Sequence, residues 1–400
     1  MSISTKHKSR IVLFVSIVIL SACHSLRAIK WGKASPNDHK HFSNVVIPAS
    51  KQAFFYSKSI ESIGPIKSQI IQKEIIAKGL NTHAFLIIQN DEIVYQYFKK
   101  HKDSNSLFLG FSMSKSFVAT CIGIAIDKGL IKSTSESICT YIPELAKSDT
   151  NFRSLSIQAL LDMRSGIEPD ENKMSLNSPL VKLYYGQHIS KLIPHLKRNP
   201  RYHKFHYLNI NTQLLSLAIE RASKQSFNSF FAEHLWSKMG CSQKAQWVID
   251  KDTTVKSFFG LSATAYDFAK LGSLYLHKGH FNGQNIVSES WINQSTDLDT
   301  LFENNYKNHW WANNDIRFFN SEKQAKDFRF DLRLAGPVQK IMPTLYTVKL
   351  PGNSFMAHGF LEQYLYVNPE KNLIIIRLGD EPDNGTIDFE PVLIKLGNLF

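Results

Sequence analysis

Long apolar runs are scarce in this 400-residue chain. The one near the N-terminus, "IVLFVSIVIL" at 11–20, is ten residues long, about half of what a bilayer-spanning helix needs. Cysteine is scarce too. The chain has Cys23, Cys121, Cys139 and Cys241 and no C-x-x-C, so neither a structural zinc site nor a thiol redox motif is indicated. There is no H-E-x-x-H, no P-loop and no dinucleotide fingerprint, and the pair His203 and His206 in "RYHKFHY" stands alone, read as a polar helix edge. No metal and no organic cofactor is expected. Internal repeats and low-complexity tracts are absent. Acidic residues are outnumbered, 34 against 47 basic, for a formal net charge of +13.

With 43% hydrophobic and 20% charged residues the chain reads as globular, and its length allows one bilobed domain or two. Lys6, Lys8 and Arg10 precede the short apolar run, the order of an export signal. "LSAC", Leu20 to Cys23, resembles a bacterial lipobox, which would leave a diacylglycerol on Cys23. An ordinary signal peptide with a chance cysteine is the alternative. His24 after the cysteine, in place of aspartate, leans towards the outer membrane, with the protein facing the periplasm. Loss of residues 1–22 removes three basic residues and no acidic one, which leaves +10. Such a charge favours anionic head groups. Nucleic acid is discounted as a partner, because the basic residues are scattered and an exported protein seldom meets it.

Residues 23–50 are polar and read as a tether. "IKSQIIQKEIIAKGL" spaces Ile66, Ile70, Ile71, Ile75 and Ile76 as a helix. "AFLIIQNDEIVYQYF" is two β-rich runs around Asn90-Asp91, a hairpin. The stretch 149–254 is mostly helical, and "ATAYDFAKLGSLYLHKG" is a further helix. "FLEQYLYVN" and "NLIIIRLGD" form a second hairpin before a last helix. Strand-rich ends bracketing a helical middle indicate an α+β fold: an antiparallel sheet, built from residues 51–148 and 255–400, flanked by helices, with a helical lobe inserted at 149–254. Cys121 falls in an apolar helix as a small core residue.

That apolar helix opens unexpectedly. "GFSMSKSFVATCIGIAIDKGL", 110–130, carries Lys115 near its start, where the helix dipole disfavours a cation and burial disfavours it more. Residues i and i+3 share a helix face, so Ser112 and Lys115 can touch. A serine hydroxyl becomes a nucleophile when an adjacent base takes its proton. A lysine whose pKa is lowered from about 10.4 to roughly 7–8 can be that base. Ser112 is the only serine with lysine three positions on. Ser112 as an N-cap with Lys115 reaching to solvent is the structural alternative.

S-x-x-K is the nucleophile motif of penicillin-binding proteins and serine β-lactamases. The flanks of Ser112 resemble that superfamily's catalytic helix, "LSIQALLDMRSGI" (155–167) resembles its LLxMxSG segment, and Tyr207-Leu208-Asn209 resembles its Y-x-N. Tyr306-Lys307-Asn308 and Tyr366-Val367-Asn368 also match Y-x-N but lie outside the helical part and are read as structural. The K-T-G strand is best matched by Ala357-His358-Gly359, with alanine in place of the cation that grips a substrate carboxylate. "GFSMSKSF", "LLDMRSGIEPDEN" and "LWSKMGCSQKAQWVID" are most similar to the class C-like esterase and 6-aminohexanoate-dimer hydrolase branch. G-x-S-x-G is absent.

The resemblance implies a β-lactamase/DD-peptidase-like fold and a serine hydrolase that cleaves a small ester or linear amide. Ser112 is then the nucleophile, with Lys115 and Tyr207 as the general base. Asn209 bonds Lys115 or the substrate. The N–H groups of Ser112 and Phe360 form an oxyanion hole, Gly359 admits the substrate, and His358 partly replaces the missing cation or is simply a strand residue. A β-lactamase or cell-wall DD-peptidase on the same fold is one alternative; a non-catalytic envelope lipoprotein is another. "FRFDLRLAGPVQKIMPTLYTVKL", 328–350, walls the cleft or forms a surface insertion.

Overall fold

A computed structural model describes residues 23–59, 63–168, 175–296, 305–312, 316–331, 338–349, 354–383, 385 and 388–400. Residues 1–22, where the export signal is expected, lie outside these.

The principal sheet has eight strands, in the order Tyr306–Lys307, Trp310–Ala312, Phe355–Gly359, Gln363–Asn368, Leu373–Gly379, Thr82–Gln89, Glu92–Phe98, Ser57–Lys58. All neighbours are antiparallel except the last pair. Its two ends of the chain meet at the centre, where Ile376 faces Leu86 and Ile374 faces Ile88. The two hairpins expected from sequence close it: Asn90 and Asp91 both take positive φ, the geometry of a tight two-residue turn, and Pro369–Lys371 form a single 3-10 turn.

Both sheet faces are covered, which is why "LIIIRLG", apolar apart from Arg377, does not alternate with exposed residues and is buried throughout. Alternate side chains part company across the pleat. Leu86, Leu365 and Ile376 join a large core with the helices Ser114–Asp127 and Ala265–Leu276. Phe85, Tyr364 and Ile375 pack on the other side against Ile71, Ile75, Phe389 and Leu393, the last from the closing helix Glu390–Leu399.

The helix Asn209–Ser223 packs against Ser114–Asp127 and so joins the helical part to the sheet. "LSIQALLDMRSGI" is helical only over Ile157–Leu161, with the Ser156 hydroxyl capping Ala159 N–H. Of the segment 328–350, the described residues 328–331 and 338–349 belong to a small unit of a three-stranded sheet (Ile316–Phe319, Leu345–Lys349, Val338–Met342) with the helix Glu322–Asp331.

Residues 23–50 are not a loose tether. Cys23–Trp31 form a helix, and Ser43–Ile47 pair antiparallel with Ala245–Ile249 in a second, four-stranded sheet. Arg27 donates to Tyr185 O, the Tyr185 hydroxyl to Gly32 O and the Tyr184 hydroxyl to Asp38. Aromatic residues at Trp31, Phe42, Tyr184 and Tyr185 supply the buried surface that composition alone did not reveal. Among the described residues no helix is long and apolar enough to cross a membrane.

Candidate active site

The segment that carries Ser112 begins with strain. Phe111 has φ +46°, a region costly for a residue with a side chain and found chiefly where the surroundings enforce it. Phe111–Met113 form a 3-10 turn that runs into the helix Ser114–Asp127. Ser112 thus sits in the turn, two residues before the first residue of the helix proper, and Lys115 in the helix's first turn.

Lys115 is 1% exposed. Its Nζ donates to Ser112 Oγ at 2.9 Å, Asn209 Oδ1 at 2.8 Å and the Phe258 carbonyl at 2.8 Å. These three acceptors are neutral and hold the lysine in place. If Nζ gives up a proton, the lone pair faces the same atoms and the Ser112 hydroxyl can donate to it. The snorkelling alternative for Lys115 is excluded by its burial.

Tyr207 precedes the helix Asn209–Ser223, and its ring centre lies 4.9 Å from Lys115 Nζ. The ring stacks on Trp311, 6.0 Å between centroids at 19°, and meets Tyr306 edge-on at 5.8 Å. Tyr306, read from sequence as a structural Y-x-N, therefore walls the site. Phe205 packs on both Tyr306 and Trp311. The reading of His203 and His206 as a helix edge is corrected: the helix starts only at Asn209. No cluster of metal-binding side chains occurs among the described residues.

Below Lys115 lies His309, 2% exposed. Its Nε2 is 3.1 Å from Thr212 Oγ1, its Nδ1 3.2 Å from the Tyr306 hydroxyl, and Ser116 Oγ donates to its carbonyl. Burial first, then the Lys115 charge, push its pKa down to about 3, so it is neutral. "LLDMRSG" supports the same loops from beneath: Asp162 accepts from Asn308 N–H, Leu161 O from His309 N–H and Met163 O from His206 N–H. Burial raises the Asp162 pKa.

The Phe355–Gly359 strand reaches the turn that carries Ser112. A Cβ on Gly359 would lie 2.3 Å from the Gly110 carbonyl oxygen, so the two backbones are in contact. The rings of Phe111 and Phe360 meet edge-on at 5.7 Å. Ala357 is 1% exposed and joins the core on the Ser112 side. His358 does not join the site. By strand alternation it lies on the opposite face, its ring stacked on Tyr364 at 4.4 Å and its Nε2 3.9 Å from Glu362. It cannot stand in for a substrate-gripping cation. Burial lowers its pKa to about 4.

Ser112, Lys115, Tyr207, Asn209, Gly359 and Phe360 are thus gathered, while His358 is set apart. Sequence reading missed Phe258, His309 and Trp311. Phe258 acts through a carbonyl that every residue has, and the other two are placed by tertiary packing. Cys121, Cys139 and Cys241 are free thiols. Cys23 opens the N-terminal helix, remote in sequence from all these residues.

Residues 68–386 match the family model described as Beta-lactamase. A 6-aminohexanoate-dimer hydrolase of Paenarthrobacter ureafaciens is 24% identical over 262 residues, 59% of this chain and 65% of that protein. The match therefore spans about two thirds of that relative's length. A structure from Bacillus anthracis, provisionally described as a 6-aminohexanoate-dimer hydrolase, superposes with TM-score 0.71 at 18% identity, covering 90% of this chain and 91% of the other. A class C β-lactamase of Rhodobacter sphaeroides superposes with TM-score 0.54 at 13% identity, covering 83% and 97%. These last two likenesses concern the fold. The family model covers most of the chain and the α+β architecture agrees with it: the chain belongs to the β-lactamase family of serine hydrolases.

Proposed function

We propose that this protein cleaves a small ester or linear amide through an acyl-enzyme on Ser112. The observation that carries the reading is the 2.9 Å contact between Ser112 Oγ and the Nζ of a buried lysine. Neutral Lys115 accepts the Ser112 proton as Oγ attacks the carbonyl carbon. Asn209 and the Phe258 carbonyl hold Nζ still during that transfer. The N–H groups of Ser112 and Phe360 receive the oxyanion. Tyr207, coupled to Lys115, passes a proton to the leaving alcohol or amine. Water activated by the same pair then releases the acid, and any rate-derived pKa belongs to the pair.

Ala357 offers no cation for a substrate carboxylate, and the walls are aromatic: Phe111, Tyr207, Tyr306, Trp311 and Phe360. Both features favour an uncharged acyl group over a β-lactam or a cell-wall peptide. The name of the Paenarthrobacter relative supports a linear amide as one substrate class. The proposed lipid on Cys23 would begin a helix already docked on the body, and so hold the enzyme close against the envelope membrane.

The test is intact-mass analysis with peptide mapping after a fluorophosphonate, and after benzylpenicillin in parallel. An adduct on Ser112 from the first alone, with ester turnover abolished in Ser112→Ala, is expected. A stable penicillin adduct would move the reading to the cell-wall enzymes, and no adduct from either to a non-catalytic lipoprotein.

A further inference from the structure

The turn that carries the proposed oxyanion donor is held by two buried polar side chains. Phe360, Leu361 and Glu362 connect the strands Phe355–Gly359 and Gln363–Asn368, whose last pair is Gly359 with Gln363. Leu361 has φ +61° and Glu362 φ +63°. Left-handed backbone costs on the order of 1–3 kcal/mol at each residue that is not glycine. A glycine or asparagine would form this turn without that cost.

What offsets the strain is a dense set of bonds to the turn's own carbonyls. Gln363 Nε2 donates to Leu361 O at 2.6 Å and Phe360 O at 3.2 Å. Arg377 Nη1 donates to Glu362 O at 2.6 Å and Leu361 O at 3.4 Å. Both side chains are anchored elsewhere. Gln363 pairs with the backbone of Gly379 in both directions, at 3.0 and 2.9 Å. Arg377 donates to Thr82 Oγ1 at 3.1 Å and Leu80 O at 2.8 Å, and its guanidinium lies 3.9 Å over the Phe389 ring. Gln363 is 1% exposed and Arg377 0%. Gly379 makes room for this: a Cβ there would meet the Arg377 guanidinium at 3.0 Å and Asn81 O at 2.4 Å.

From this geometry we infer that Gln363 and Arg377 are positioning residues for catalysis: they lock the left-handed Phe360–Glu362 turn so that the Phe360 N–H stays aimed at the carbonyl oxygen over Ser112. Neither touches the substrate. The inference rests on the acyl-enzyme reading and deepens it. A hydrogen-bond donor must be held to a fraction of an ångström to stabilise an oxyanion, and a turn free to relax from positive φ would lose that aim.

The test uses the full chain, a p-nitrophenyl ester as substrate and phenylboronic acid as a tetrahedral mimic on Ser112. Gln363→Met keeps the volume and removes the donors. Leu361→Gly keeps every brace bond and removes the strain that the brace offsets, so adding it to Gln363→Met should restore part of the loss. In Gln363→Met kcat is expected to fall about 10- to 100-fold, short of the 10²–10³ for losing an oxyanion donor outright. Boronate affinity should fall by the same factor, with KM changed less than about threefold and the fluorophosphonate still directed to Ser112. Full kcat and full boronate affinity in a folded variant, with only a lower melting temperature, would overturn the inference and leave a structural role. Failure of the underlying reading shows differently: the parent protein would then bind no boronate, or Ser112→Ala would keep turnover.

Discussion

Replacing Gly359 with alanine tests the contact between the strand and the nucleophile turn. The added Cβ would stand 2.3 Å from the Gly110 carbonyl oxygen, 3.3 Å from its carbon and 3.1 Å from Gln363 Cβ. The nearest atoms are backbone, so no side chain can swing away. Restoring even 3.0 Å requires the strand and the turn to part by about 0.7 Å. Overpacking of this kind costs about 1–3 kcal/mol of stability. Activity suffers as well, because the displaced atoms flank both Ser112 and the Phe360 N–H, and a misplacement near 1 Å can cost on the order of 100-fold in rate. Gly359→Ala should therefore melt only slightly lower but turn over a p-nitrophenyl ester roughly 100-fold more slowly. Fluorophosphonate labelling of Ser112 should slow in step. Full turnover in a variant of unchanged melting temperature would refute the placement of this strand beside the nucleophile.

Tyr207→Phe keeps the stack on Trp311 and removes the hydroxyl; kcat should fall about 10²- to 10⁴-fold in steady-state assays while the melting temperature holds, consistent with loss of a proton-transfer group. His309 titrates at about 3 when folded and near 6.5 when unfolded, so the unfolded chain binds the extra proton between those values. Stability is accordingly complete above about pH 6.5 and lost on acidification, by about 2 kcal/mol at pH 5 from this group. Urea unfolding at pH 5 and 7 measures it, and His309→Gln should reduce the difference by about that amount, leaving the part due to His83 and His358, whose pKa values burial also lowers to about 4. Lys256 is fully buried, its pKa pushed down to about 7 by burial, and its Nζ donates to the carbonyls of Leu183, Tyr184 and Gly186. Lys256→Met leaves those carbonyls without their donor and should cost about 2–4 kcal/mol in thermal or urea unfolding; an unchanged midpoint would count against this role of Lys256.

The local chemistry of the site was written in neighbouring residues and could be read there. Ser112 and Lys115 lie one helical turn apart, and a lysine inside an apolar helix is conspicuous because burial penalises it. Both hairpins declared themselves, Asn90-Asp91 through residues that tolerate positive φ. The sheet of joined chain ends followed from where β-branched runs fell. The N-terminal stretch misled for the opposite reason: its polar composition hid the aromatic residues that dock it, and docking depends on a partner surface around Tyr184 and Tyr185 that local sequence does not show.

His358 shows the limit most directly. Its type and its place beside Gly359 pointed to the site, yet a strand sends successive side chains to opposite faces, and only the packed sheet decides which face meets Ser112. The aromatic wall of Tyr306 and Trp311, the neutral His309 under Lys115 and the Arg377–Gln363 brace likewise join residues from 80 to 379, across separations no spacing rule spans. By itself the sequence determined which groups could react, because Ser112 and Lys115 sit on one helical turn. Tertiary structure decided what surrounds them, because desolvation, the aim of an N–H group and the face of a strand exist only once distant segments have packed.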